Sequence, residues 1–365
     1  MISTRWMISV LLVGLTIFQL TTASDLQRTL NFPDTNRGKT INRGQNSRNK
    51  VCRKWYGIRD RILRDVFQGQ CGDAARAAVR LAFHDAGTFS QMRQRRGQKN
   101  GGADGSMLWD LQEVLRPENN GLQNIVTALR PLPREYGVSN ADILHVAGIL
   151  AVIICPGGPP IETWIGRRDI GVRNPDGMIP DVNDSVEKML ARFADMGLSV
   201  RDTMALVGAH STAKQRFVDP SQAGKSMDST VDIWDVKFYG ETLNSTTPDG
   251  VFKFASDVKF SQHRLSARQF KRFVDEQDDW DDDYADAHER MSLLGQDRRR
   301  MTRCTEILPP KIDLGPLFID KDGDNGADSE DERQFSPKDA FSLRVDRGRL
   351  RTVLRRLRGY WGYSG

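Results

Sequence analysis

Arg80 and His84 stand four positions apart in VRLAFHDAG. On an α-helix that spacing sets both side chains on one face, a turn apart. The pair joins a cation that does not lose its proton to an imidazole that titrates near neutrality. Heterolysis of an O–O bond needs this combination. A base takes the proton of one oxygen and hands it to the departing one, and a fixed positive charge stabilises the charge that develops. A second histidine, His210 in VGAHSTAK, is an imidazole able to ligate a metal. Alone, each has a plainer reading, as a surface Arg–His pair or a structural histidine. His145, in ILHVAG, is read as structural.

Oxygen donors follow both functional candidates. Asp85 comes directly after His84, and GGADGS lies within about twenty residues of it. Asp85, Asp104, Ser106 and the carbonyl of Gly102 are hard ligands on glycine-permitted turns, which suits calcium over zinc or copper. Ser211 follows His210, and MDSTVDIWD adds Asp228, Thr230 and Asp235 at short spacing. Two histidines, each tied by its next residue to a candidate calcium loop, form an arrangement that chance seldom gives.

Holding these groups requires helices, and the sequence is rich in them. CRKWYGIRDRILRDVFQ is a helical pattern stopped by Gly69, and DAARAAVRLAFHDAG is an alanine-rich one stopped by Gly87. MLWDLQEVL, GLQNIVTALRPL and NADILHVAGILAVIIC continue the series, which the loop CPGGPP interrupts. DSVEKMLARFADMG and SVRDTMALVGAHSTAK open on Asp or Ser caps, so His210 is expected in a helix. SARQFKRFVDEQDDWDDDYADAHERMSLLG reads as helical throughout. Alternating strand patterns are scarce, so the fold class is mostly α.

The chain of 365 residues, 38% hydrophobic, can bury a sizeable core. Arg5, an apolar run from Met7 to Leu20 and the small residues TTAS read as a signal peptide over residues 1–24, cleaved near Ala23 or Ser24. Residues 25–50 form a polar extension. No later segment is apolar enough to cross a bilayer, so the expected product is soluble, secreted and extracellular. Cys52, Cys71, Cys155 and Cys304 are an even number in such a chain, consistent with two disulfides in any of three pairings. The net charge of +5 is arranged in blocks. Basic NRGKTINRGQNSRNK and RGRLRTVLRRLRG and acidic DEQDDWDDDYAD read as solvated faces or tails, with no nucleic acid as partner. DKDGDNGADSED resembles the start of an EF-hand, but Asn325 replaces the turn glycine and the closing Glu is missing. Asn183 and Asn244 lie in glycosylation sequons.

The segments VRLAFHDAG, NGGADGSM, ENNG, GRRD, VGAHSTA, MDSTVDIWD and ASDVKF have the order and spacing of the plant, fungal and bacterial haem peroxidase superfamily. The chain resembles its secreted fungal (class II-like) branch, from roughly Cys52 to Pro310. The resemblance implies a two-domain helical haem peroxidase fold over 51–310. Haem b would lie between a distal half, about 51–165, and a proximal half, about 166–310, with 311–365 as a C-terminal extension. It implies His84 as distal base, Arg80 as distal cation, Phe83 as the aromatic against the haem and Asn119 as acceptor of the other imidazole N–H. Glu118 has no counterpart and receives no role. His210 would be the iron ligand and Asp257 the carboxylate on its far nitrogen, lending it imidazolate character. Two calcium ions are implied. The distal one would bind Asp85, Gly102, Asp104 and Ser106, and the proximal one Ser211, Asp228, Thr230, Ile233 (through its carbonyl) and Asp235. The implied disulfides are Cys71–Cys155 and Cys52–Cys304.

Departures narrow the expected chemistry. Met227 stands where the fungal branch has Phe, and four cysteines are fewer than that branch carries. The three acids of manganese-oxidising relatives correspond to Asp73, Ala77 and Arg216. The surface tryptophan of lignin peroxidases corresponds to Ala205, while Trp280 is a candidate exposed radical site of a different kind. The expected protein is a monomeric extracellular peroxidase. It would use hydrogen peroxide to oxidise small phenols or aromatic amines one electron at a time at the haem edge. The alternatives are a non-catalytic haem- and calcium-binding secreted protein with the same fold, and a polyanion binder acting through its basic ends.

Overall fold

A computed structural model of the protein describes residues 49–313. The signal peptide, nearly all of the polar extension, the EF-hand-like loop and the basic C-terminal segment lie outside the described residues.

Helices begin where short polar side chains can cap them. Asn49 accepts from Val51 N at the start of α1 (Lys50–Arg61), which runs on into a π-helical turn over Ile62–Val66. α2 (Asp73–Ala86) ends at Gly87, and α3 (Asn140–Ile154) is capped by Ser139. Ser185 caps α4 (Val186–Met196), and Ser199 forms a reciprocal capping box with Asp202 at α5 (Val200–Val207). α6 (Lys237–Leu243), α7 (Ala255–Gln262) and α8 (Gln277–Ser292) complete the longer elements. Sheet is confined, among the described residues, to two antiparallel two-residue strands, Trp164–Ile165 and Thr302–Arg303.

α3 is buried from Ala141 to Ile153 and, apart from Asp142 and His145, that stretch is apolar or glycine. α2 lies directly on it. A Cβ added at Gly148 would come within 2.7 Å of the Ala82 Cβ, so the small residues at this crossing set how close the helices approach. One apolar cluster gathers α1, α2 and the inner side of α3 around Trp55, Leu81 and Leu150. A second joins α3 to α5, α6 and α8 around Ile149, Trp234, Phe238 and Trp280. At the ends of α3 and α8, buried Arg167 pairs with Asp142 (3.1 Å) and donates to the Ser292 carbonyl (2.7 Å). This satisfies a charge that would be costly to bury alone.

Three sequence expectations need correction. The long pattern from Ser266 breaks: Ala267–Lys271 is a short helix, Asp275 adopts φ 59°, and α8 begins only at Gln277. MLWDLQEVL is split at Asp110, whose side chain caps a new short helix, Leu111–Val114. The acidic run is not simply a solvated face. Asp283 is buried and paired with Arg201 and with Arg272 (2.6 Å), and buried Asp281 with Lys311 (2.7 Å).

The cysteines pair as Cys52–Cys304 and Cys71–Cys155, and no described cysteine is free. The first bond closes 252 residues of sequence, a long loop whose closure restricts the unfolded chain strongly. Replacing Cys52 and Cys304 by Ser should cost about 2–5 kcal/mol. A lowered thermal midpoint for the holoprotein in calcium-containing buffer is the expected readout, and an unchanged midpoint would show the bond to be neutral.

Candidate active site

The distal residues occupy one turn of α2 and the loop facing it. His84 is buried, and its Nδ1 lies 2.7 Å from Asn119 Oδ1. A carbonyl oxygen can only accept, so Nδ1 carries the proton and Nε2 is left as the free base. Asn119 is oriented in turn by donating from Nδ2 to the Glu113 carbonyl, at 2.8 Å. Burial, then the nearby Arg80 charge, push His84 down to about 3, so it is neutral at physiological pH. Arg80 donates to the carbonyls of Glu118 and Asn120, each at 2.7 Å. Glu118, given no role from its side chain, therefore anchors the arginine through its backbone. Phe83 meets the His84 ring edge-on and stacks with Phe193 of α4 at 5.8 Å.

His210 lies just beyond α5, on the 3-10 turn Gly208–Thr212, and not within an α-helix as its pattern suggested. Its Nδ1 is 2.9 Å from Oδ2 of Asp257, which α7 holds buried. Burial alone would lower this imidazole, but the charge and hydrogen bond of Asp257 carry it above its ordinary value. The side chain remains 32% accessible, and Nε2 has no partner among the described residues. Phe238 and Phe254 wall the ring edge-on at 5.7 and 5.5 Å. The charge of Arg80 also acts on His210, in the lowering direction.

The residues of each proposed calcium set are brought together. On the distal side, Asp85 Oδ2 accepts from Gly105 N (2.9 Å), Ser106 Oγ lies 3.5 Å from Asp85 Oδ1, and Ser106 N donates to Asp104 (3.1 Å). Asn174 Nδ2 reaches both Asp104 (3.1 Å) and the Gly102 carbonyl (3.5 Å). On the proximal side, Ser211 Oγ is 2.7 Å from Asp228 and 3.5 Å from both Asp235 and the Ile233 carbonyl, with Thr230 Oγ1 3.1 Å from Asp235. Burial pushes Asp85, Asp104, Asp228 and Asp235 upward, and like-charged neighbours add to it. Buried oxygen clusters short of positive charge suit a divalent cation. Among the described residues no group of three or more His, Cys, Asp or Glu is placed to hold a metal. These two sets rely instead on hydroxyl and carbonyl oxygens beside a pair of carboxylates.

Some participants escaped the sequence reading. His145 is buried, but its Nε2 lies 2.9 Å from Oδ2 of Asp85, so it is directly bonded to the distal oxygen cluster. Its place in an otherwise apolar helix was the available signal, because a polar group there must find a partner. Glu113, also buried, adds a further carboxylate, pushed up to about 7 by burial and by Asp85. Trp280 is fully buried and is not an exposed radical site. Met227 is buried within the second apolar cluster.

A peroxidase family profile matches residues 59–278, more than half of the chain. Ligninase H2 of Phanerodontia chrysosporium is 32% identical over 292 residues, covering 74% of this chain and 78% of the relative. Versatile peroxidase VPS1 of Pleurotus eryngii is 30% identical over 313 residues, covering 81% and 85%. Manganese peroxidase 3 of Phlebia radiata is 30% identical over 316 residues, covering 81% and 87%. Relatives named for different donors are thus about equally similar, and their names do not choose a donor for this chain. The paired histidines, the mostly helical fold and these matches identify the chain as a member of the peroxidase family, a fungal-type haem peroxidase and hydrogen-peroxide-dependent oxidoreductase of the plant, fungal and bacterial superfamily.

Proposed function

We propose that the chain is an extracellular peroxidase of the generic kind, oxidising small phenols and aromatic amines at the haem edge. His210, through its Nε2, is the residue that would hold haem b. When bound, it supplies the redox centre that hydrogen peroxide oxidises and that donors return to rest one electron at a time. His84 takes the peroxide proton at Nε2 and releases it to the departing oxygen, and Arg80 stabilises the developing negative charge. Asn119 keeps His84 in the working tautomer. Asp257 makes His210 a stronger electron donor toward the metal. Calcium at the two oxygen clusters fixes the chain beside each histidine. Exposure of both sequon asparagines, Asn183 and Asn244, supports an exported, glycosylated product.

The observation that carries the donor assignment is an ion pair. Arg216 Nη2 lies 2.9 Å from Asp73 Oδ2, and Arg76 sits 3.3 Å from the other oxygen of the same carboxylate. The one acid remaining from a three-carboxylate manganese site is therefore neutralised by two guanidiniums, with alanine at position 77. Manganese(II), a hard ion needing several oxygen ligands, is repelled there. Ala205 is buried and carries no oxidisable side chain to the surface.

Steady-state assays with hydrogen peroxide test this. Phenols and aromatic amines should turn over, while manganese(II) and high-potential non-phenolic aromatics should give negligible rates. Saturable formation of a manganese(III) chelate at micromolar metal would overturn the assignment (the general manganese affinity expected of such a site requires intact carboxylates).

A further inference from the structure

Trp280 is inside the protein, and so is an unusual set of oxidisable neighbours. Its indole N–H donates to the Ala205 carbonyl (3.0 Å), and the ring lies against Gly208, where a side chain would collide with it. Gly208 is two residues from His210 in sequence, on the same 3-10 turn. Trp234 stacks on Trp280 with centroids 5.0 Å apart and planes 8° from parallel. Tyr284 meets Trp234 edge-on at 4.6 Å and Trp280 at 5.8 Å. The Tyr284 hydroxyl lies 3.1 Å from Nδ1 of His288. All four side chains are at most 1% exposed.

We propose that Trp280, Trp234, Tyr284 and His288 form an internal relay that draws an oxidising equivalent away from the haem and holds it as a radical on Tyr284. The proposal rests on the haem reading above, and the oxidant is the bound haem once hydrogen peroxide has oxidised it. Tyr284 loses one electron through the stacked indoles to that haem, and loses its phenolic proton to Nδ1 of His288. The products are a neutral tyrosyl radical, an imidazolium and a haem reduced by one electron.

Geometry and chemistry agree on the direction. The two indoles are in contact, and the relay starts at Trp280, which packs against the turn that bears His210. Only the last aromatic has a hydroxyl with a nitrogen acceptor beside it. Burial, with smaller pushes from His145 and Arg167, takes His288 down to about 3, so the ring is neutral and has a lone pair to offer. A phenol that has lost an electron is a strong acid, and even this weak base takes its proton. Because no member reaches solvent, no donor molecule can touch the relay. Its use is to store or dissipate an equivalent when donors are scarce, sparing the haem and the distal residues.

The test is electron paramagnetic resonance on holoenzyme frozen after mixing with hydrogen peroxide in the absence of donor. A tyrosyl signal is expected, narrowed in protein made with ring-deuterated tyrosine. It should be lost in Tyr284→Phe and strongly reduced in Trp280→Leu. Tyr284→Phe keeps the ring packing, and an unchanged haem absorption spectrum verifies that the variant is folded. A peroxide-induced change in haem absorption with no tyrosyl signal, or a tyrosyl signal that persists in Tyr284→Phe, would overturn the relay alone. No haem absorption change with peroxide would overturn the haem reading, and the relay with it.

Discussion

His84→Ala should slow the reaction with hydrogen peroxide by about 10²–10⁴-fold from loss of the base alone, while haem remains bound. The side chain removed is the only one in the distal cluster with a free, unprotonated nitrogen. Asn119 accepts through Oδ1, and Arg80 is a cation committed to two backbone carbonyls. Neither can take over proton transfer. Arg80 remains, so part of the charge stabilisation survives and the variant keeps a residual rate. Stopped-flow absorbance reads the effect directly, and a near-normal rate in the variant would defeat the assignment. The same geometry sets a pH limit. With His84 held at about 3 by burial and by Arg80, the base is available far below the ordinary imidazole value of 6.5. The acid limb of the peroxide reaction, read from stopped-flow rates against pH, should therefore fall near pH 3 and not near neutrality.

Removing calcium should abolish activity without taking any group directly from the iron. Asp85 adjoins His84 and Ser211 adjoins His210, so each proposed calcium site is one residue from a proposed working histidine. Without an ion, burial pushes Asp228 from 3.8 up to about 8, with the charge of Asp235 adding to the shift. A carboxyl raised in the folded state holds an extra proton relative to the unfolded chain. Its stabilising contribution is present below pH 3.8 and is lost as pH rises through about 8, so the metal-free protein weakens across that window. Calcium bound at the proposed site would supply the charge that removes this loss. When it leaves, α2 can shift and let His84 approach the iron. Exhaustive chelation should give a low-spin six-coordinate absorption spectrum, partly reversed by added calcium. Retention of full activity after chelation would sever the link between the oxygen clusters and the histidines.

What could be read from the sequence follows from how local each signal is. The helix carrying Arg80 and His84 and the serine caps are determined within a few residues, and they stand in the structure as read. The disulfide partners required the resemblance, since four cysteines alone leave three pairings open. The position of His210 depended on how α5 ends, and a pattern that continues through VGAHSTA does not reveal a change to a tighter turn. The break at Asp275 was hidden in the same way, because no glycine or proline marks it. Burial of Trp280, Asp281 and Asp283 was invisible in a run of acids. Composition argued for a solvated face, while Arg201, Arg272 and Lys311 reach the acids from outside the run. His145 and His288 were missed because their partners, Asp85 and Tyr284, give no local hint of the contact. For His145 the partner is sixty residues away. For His288 it is only four, but neither residue looks functional alone.

The disulfides also decide what a single backbone cut can do. The Cys71–Cys155 ring is nested inside the Cys52–Cys304 ring. The exposed basic stretch Gln94–Lys99 lies within both. Hydrolysis there leaves two fragments stapled together by two covalent bridges, anchored on the N-terminal fragment at Cys52 and Cys71, both ahead of α2. A cut at exposed Arg216 leaves only the outer bridge. Nicking by a trypsin-like protease is therefore an asymmetric injury: a cut in the Gln94–Lys99 stretch leaves the fragment bearing the distal base doubly tethered, while a cut at Arg216 keeps both His84 and His210 on one fragment and leaves the piece bearing Asp257 hanging by one bond and by its packing.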